Sequence, residues 1–203
     1  MTLLPTTLAI DTAAPRLQLG LVHPDGRADS IIEDIAIGHA ERLFGCLDTL
    51  LARNGLAYSD LERVASTTGP GSFTGLRIGL SAARGIGLAR GIPVIGVPSL
   101  VALSLPIAGP ALVLLDARRG EAYVQGFDAP GHPIGPARLV PAAEAEALVP
   151  PGTTVLRSPF VDIIAMARFA AMADPSAFPP EAAYVRDADA KPQTAARLVR
   201  WTP

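Results

Sequence analysis

Alternation comes first along the chain. Leu8-Ala9-Ile10 run into Asp11, which closes a first apolar strand. Arg16–Val22 places Leu17, Leu19 and Leu21 on one face, the period of a half-buried strand. His23-Pro24-Asp25-Gly26 is a turn, with Pro fixing φ and Gly permitting positive φ. Residues 28–35 give a third strand, so an antiparallel meander is expected. The period then changes. Over 39–54, Leu43, Phe44, Leu47, Leu50 and Leu51 form one apolar helical stripe, stopped by Gly55. Ser59-Asp60-Leu61-Glu62 reads as a short capped turn. A strand over 63–68 meets the loop Gly69-Pro70-Gly71-Ser72, and a second helix follows over 73–90, ended by Gly91.

The remaining pattern is β-rich. Strands are expected at 92–97, 111–116 and 121–127, with Ser99 capping a short helix and Arg118-Arg119-Gly120 turning the last pair. A short helix is expected over 141–149. Ser158 and Pro159, as cap and first helical residue, predict another that ends near Ala173. A division near 103–110 gives lobes of 1–105 and 106–203.

The helix over 73–90 has little polar surface. Gly75, Gly79, Ala82, Ala83 and Ile86 share one face, and Leu76, Leu80, Ala83 and Gly87 a neighbouring one. Arg77, Ser81 and Arg84 form its polar stripe. Each interior Gly costs about 1 kcal/mol against Ala, so close packing must compensate. The pattern fits a central core helix and a helix shared with a partner equally well.

Composition narrows the class. Half the 203 residues are hydrophobic (49%) and 18% are charged, so the chain folds. The net charge of −2 excludes a globally basic surface for nucleic acid or membrane. The single cysteine, Cys46, forbids an internal disulfide and fits a reducing, cytoplasmic setting. No signal peptide or membrane span is expected.

Candidate chemistry is sparse. A Gly-rich loop between strand and helix, with Gly69, Gly71 and Ser72, offers backbone N–H groups to a phosphate; equally, its glycines serve a tight turn. Asp11 and Thr12 stand where a strand-end Asp positions metal and phosphate in actin-like ATPases, but no DxG glycine follows. Asp116, beside Arg118 and Arg119, anchors the turn or pairs with an Arg. His23, His39 and His132 lack metal-ligand spacing, and Ser72 is not in a GxSxG elbow. No catalytic residue and no metal site is expected.

Five runs in order resemble one family: Leu8-Ala9-Ile10-Asp11-Thr12; His39-Ala40-Glu41-Arg42-Leu43; Gly69-Pro70-Gly71-Ser72-Phe73-Thr74-Gly75-Leu76-Arg77-Ile78-Gly79; Ile95-Gly96-Val97-Pro98-Ser99-Leu100; and Asp116-Ala117-Arg118-Arg119-Gly120-Glu121-Ala122-Tyr123. Tyr184-Val185-Arg186-Asp187-Ala188-Asp189-Ala190-Lys191 looks like its closing motif. The family is TsaB, also called YeaZ, a subunit of the machinery that makes threonylcarbamoyladenosine in tRNA. The resemblance implies an α/β, actin-like ATPase fold (ASKHA, ribonuclease H-like), with an intact N-terminal lobe and a reduced C-terminal lobe. It implies a non-catalytic scaffold that pairs with a TsaD-like transferase, joined by a TsaE-like ATPase, or with a second copy in isolation. ATP and metal are expected in those partners and none on this chain; tRNA is the substrate of the complex. The two helices are expected to form the interface through His39, Leu43, Gly75, Arg77, Gly79, Ala82, Ala83 and Ile86. Ala40 stands where the family often has Ser, and the stretch 151–180 is short. A small nucleotide-binding ATPase and a peptidase stand as alternatives.

Overall fold

The computed structural model describes residues 3–183; the closing motif at 184–191 lies outside the described residues. Two sheets make up the frame. The first contains β1 (Thr7–Ala14), β2 (Arg16–Val22), β3 (Ala28–Glu33), β4 (Arg63–Gly69) and β5 (Val94–Pro98), in the order β3-β2-β1-β4-β5. The expected meander is present: β1–β2 and β2–β3 are antiparallel, while β4 runs parallel to β1 and to β5. The second sheet holds β6 (Ala111–Arg118), β7 (Glu121–Ala129), β8 (His132–Pro133), β9 (Arg138–Pro141) and β10 (Thr154–Leu156). β6 and β7 form its central hairpin.

Alternation along β1 assigns the layers. Leu8 and Ile10 face α1 (His39–Arg53) and α2 (Phe73–Arg90), in one core with Leu17, Leu19, Leu21, Leu47 and Leu50. Ala9 faces the opposite core, which contains α3 (Ser99–Ser104) and α5 (Ile163–Met172). The short α4 (Ala142–Ala145) covers the far side of the second sheet through Ala145.

β2 corrects one expectation. It is buried on both faces, not one, because α5, which follows the second sheet in sequence, covers the second face. Gly20 permits this: a Cβ there would stand 2.8 Å from the Ile163 carbonyl oxygen. Residues 163–172, on the second-lobe side of the sequence division, therefore pack on the first sheet. α5 begins later than Ser158-Pro159 suggested. Asp162 caps it, accepting from the Ile164 and Ala165 N–H groups at 3.1 and 2.9 Å. Its last turn is held by the Arg63 guanidinium, which donates to the Ala170 and Ala173 carbonyls at 2.7 and 2.6 Å. Ser99 is likewise not a cap: Pro98 occupies that position.

α2 has the expected bounds. Ser72 caps it, its Oγ accepting from the Gly75 N–H at 3.3 Å, and Gly91 ends it at φ 65°. Its glycine face is turned inward. A Cβ on Gly75 would run into the Thr12 carbonyl oxygen, and one on Gly79 would lie 2.7 Å from Thr12 Oγ1 and 2.9 Å from Ser66 Oγ. Both glycines therefore serve contact with β1 and β4, so Gly79 does not face a partner. Gly79→Ala is expected to cost about 1–3 kcal/mol of stability through overpacking. Urea unfolding reads this directly; an unchanged midpoint would show that α2 has room to spare.

Candidate functional site

Two features stand out, a cleft between the sheets and a groove between α1 and α2. The cleft begins at the end of β1. The strand does not close at Asp11 but continues to Ala14, with an irregular register between those two residues. Asp11 is almost fully buried. Its Oδ1 accepts from Thr67 Oγ1 at 2.7 Å and from the Ala13 N–H at 3.1 Å, and its Oδ2 accepts from Gln18 Nε2 at 3.3 Å. Burial pushes the Asp11 carboxyl above its ordinary value, and these hydrogen bonds oppose the shift.

The remaining phosphate candidates divide. The Thr12 hydroxyl is spent on the Gly75 carbonyl at 2.7 Å, inside the core. Gly69, at φ 113°, faces the Ala183 carbonyl. Neither lines the cleft. Asp11, Gly71 and Ser72 do, in a space of about 590 Å³. The Ser72 N–H is already bonded to the Ala13 carbonyl at 2.7 Å. Across the cleft stand Ser99, Asp116, Arg118, Tyr123 and Arg157. Asp116 anchors the hairpin turn, its Oδ1 accepting from the Arg118 N–H at 2.7 Å. Arg118 and Arg119 both sit in the left-handed region, at φ 62° and 55°. Arg157 is paired with Glu146 at 2.6 Å. The sequence marked the Asp116 turn but not that it lines the same cleft as the end of β1. Among the described residues, the serines that line the cleft, Ser72 and Ser99, have no hydrogen bond to a basic side chain. Among the described residues, no group of three or more His, Cys, Asp or Glu side chains is placed to hold a metal ion, and no helix is long and apolar enough to cross a membrane.

The groove brings together part of the expected interface set, namely Leu43, Arg77 and Ala82. His39, Leu43, Gly75, Gly79, Ala82, Ala83 and Ile86 are all buried within this one chain. Leu43 and Ala82 floor the groove, and Ile86 lines the hollow beside it; His39, Gly75, Gly79 and Ala83 line neither. Only Arg77 is exposed, its guanidinium 3.7 Å above the Phe73 ring. The outward stripe of α2 is instead Phe73, Arg77, Ser81, Arg84 and Leu88. On α1, Phe44 leaves the predicted core stripe and is 51% exposed; Phe73 is 54% exposed. Between these rings lies an apolar groove of about 540 Å³, with Ala40, Ile78 and Ser81 along its walls.

Asp11 gives a pH signature. Its folded-state pKa lies above the ordinary value of 3.8, so the folded chain holds that proton more tightly than the unfolded chain. The resulting stabilisation is complete below the unfolded value and is lost as pH rises through the folded one. Asp11→Asn cannot ionise, and Gln18 can turn its amide to meet it. The variant should therefore gain on the wild type from pH 4 to pH 7. Chemical denaturation at both pH values tests this; a gap that is constant or reversed would show that Asp11 ionises without penalty.

Comparison with known proteins agrees with this architecture. Residues 32–154 match the family model described as TsaD, tRNA N6-adenosine threonylcarbamoyltransferase. An uncharacterized protein of Mycobacterium bovis is 41% identical over 152 residues, covering 72% of this chain and 68% of the relative. The tRNA threonylcarbamoyladenosine biosynthesis protein TsaB of Escherichia coli is 35% identical over 121 residues, 57% of this chain and 52% of its own length. The chain thus matches about half of that curated relative. Among solved structures, YeaZ from Pseudomonas aeruginosa superposes with a TM-score of 0.70 at 26% identity, covering 82% of this chain and 90% of that one. A second Pseudomonas aeruginosa structure, described as similar to peptidase YEAZ, gives 0.67 at 30% identity, covering 75% and 74%. The fold is the α/β actin-like fold, and the chain belongs to the TsaB/YeaZ family of tRNA threonylcarbamoyladenosine biosynthesis proteins.

Proposed function

We propose that this chain is a non-catalytic scaffold subunit in the modification of tRNA to threonylcarbamoyladenosine. It pairs with a TsaD-like transferase through the groove between α1 and α2, and a TsaE-like ATPase joins the pair. The partners hold the metal and ATP, and tRNA is the substrate of the whole assembly. In isolation the same groove accepts a second copy.

The observation that carries this reading is the pair of half-exposed aromatic rings, Phe44 and Phe73, flanking an apolar groove. Aromatic anchors beside a pocket are what a specific protein contact uses. A second apolar hollow continues from Phe44 along Ser81, Gly85 and Ala89. Covering such surface contributes roughly 25 cal/mol per Å², before the entropic cost of association. The family membership supplies the context.

Phe44→Asp tests it. The side chain is half in solvent, so the variant should remain folded by circular dichroism. Mixed with the transferase, it should bind more than about thirtyfold more weakly by calorimetry, the loss of an anchor worth about 2 kcal/mol. Cells carrying only this variant should lose threonylcarbamoyladenosine from their tRNA, measured by nucleoside mass spectrometry. Normal binding by the folded variant would remove the groove from the interface. An unchanged modification level in cells lacking the protein altogether would remove the function.

A further inference from the structure

Another hollow, of about 310 Å³, is walled by both sheets. Pro98 at the end of β5 and Val101 of α3 stand on one side, and Pro133 of β8 and Ala137 on the other. Its few polar groups are already satisfied. The Gln125 side chain donates from Nε2 to the Gly135 carbonyl at 2.9 Å, and the Gly131 N–H donates to Ser104 Oγ at 3.0 Å. The hollow therefore suits an apolar guest and not a hydrogen-bonding one. Its volume is at the low end for a small-molecule site, so the guest is of side-chain size.

The chain itself runs to the rim. Phe178 and Ala183 are part of the lining. Between them the backbone is fastened to the first sheet: the Gly96 N–H donates to the Phe178 carbonyl at 2.8 Å, and the Ala183 N–H to the Thr68 carbonyl at 2.8 Å. β4 and β5 give up side chains to admit it. A Cβ on Gly96 would stand 2.2 Å from the Pro179 carbonyl oxygen, and one on Gly69 2.8 Å from the Ala183 carbonyl oxygen. The next two residues in sequence are Tyr184 and Val185, the only large apolar residues between Phe178 and Leu198. A residue spans at most about 3.6 Å, so both start within roughly 7 Å of Ala183.

We propose that this hollow is the docking site of the chain's own segment Tyr184-Val185. Covalent attachment at Ala183 gives that segment a local concentration that a free peptide would have to match, so it is the preferred occupant. The charged run that begins at Arg186 and Asp187 stays outside, because the hollow offers it no free hydrogen-bonding partner and burying a charge there is costly. An occupant touches β5 and α3 on one side and β7 and β8 on the other. The docked segment is then a strap that holds the second sheet to the first, apart from the groove between α1 and α2.

Limited trypsin digestion of the full chain reads the docking. The protease needs an extended stretch on both sides of the bond it cuts, so a docked Tyr184-Val185 shields the bond after Arg186. A free peptide of residues 178–192 supplies the intrinsic rate of that same bond. Followed by mass spectrometry under native conditions, the bond should be cut at least about tenfold more slowly in the folded chain than in the peptide, the rate then tracking the undocked population. Changing Tyr184→Ser and Val185→Ser together should remove most of that protection while circular dichroism shows a retained fold. Ala137→Phe fills the hollow from its wall and leaves the tail sequence intact; it should release the Arg186 bond as well. The comparison of wild type with peptide stands whether or not either variant folds. Equal rates in the folded wild type and the peptide would overturn the proposal and leave the hollow to an external apolar guest. Protection that survives in either folded variant would overturn it too.

Discussion

The rest of the structure depends on the contact of α2 with β1 and β4, made without side chains on the helix face. Gly75 and Gly79 bring the helix backbone against Thr12 and Ser66, where a single added carbon would collide. Interiors are packed at crystal-like density, so such a seam has one geometry and little slack. It also absorbs polar groups. Thr12 donates its hydroxyl to the Gly75 carbonyl, and the Ser72 N–H reaches the Ala13 carbonyl at the irregular end of β1. The Gly-rich loop is thereby tied to β1 before any ligand is considered.

This seam explains which parts of the fold were legible in the sequence. Arg16–Val22 and Phe73–Arg90 were read with their observed bounds because their boundaries are local: alternating leucines in one case, Ser72 and Gly91 in the other. Which way α2 faces was not legible. Periodicity fixes the angles between residues on a helix, but not which face meets the sheet. The glycine face was therefore open to both readings, and only the approach of Thr12 and Ser66 decides for the core. Phe44 failed for a related reason. It follows Leu43 by about 100° around the helix, far enough to leave the sheet, yet its hydrophobicity drew it into the predicted stripe. For the cleft, Asp11, Gly71 and Ser72 could be nominated from strand and loop chemistry. Arg118, Ser99 and Arg157 join them through pairing between distant segments, which leaves no local trace.

The second sheet is joined to the first by more than its connecting chain. α5 crosses back over β1 and β2, pinned at its start by Asp162 and at its end by Arg63 from β4. Arg16 of β2 lies 3.8 Å above the Phe160 ring just before that helix. Segment 178–183 adds another tie: the Gly96 N–H donates to the Phe178 carbonyl, and the Ala183 N–H to the Thr68 carbonyl. The segment that follows the second sheet is therefore held on the first at several points.

The same rigidity links the two surfaces. Phe73 and Thr74 line both the cleft and the groove, at the point where α2 turns from one to the other. Phe73 also carries Arg77 on its ring, so its rotamer sets the position of a cation on the docking face. A partner helix in the groove and any occupant of the cleft would touch the same two side chains. Any preference that one occupant imposes on Phe73 is then felt by the other, and thermodynamic linkage makes that coupling equal in both directions. A scaffold built on this seam needs no large motion to couple its surfaces; the shared residues at the head of one closely packed helix suffice.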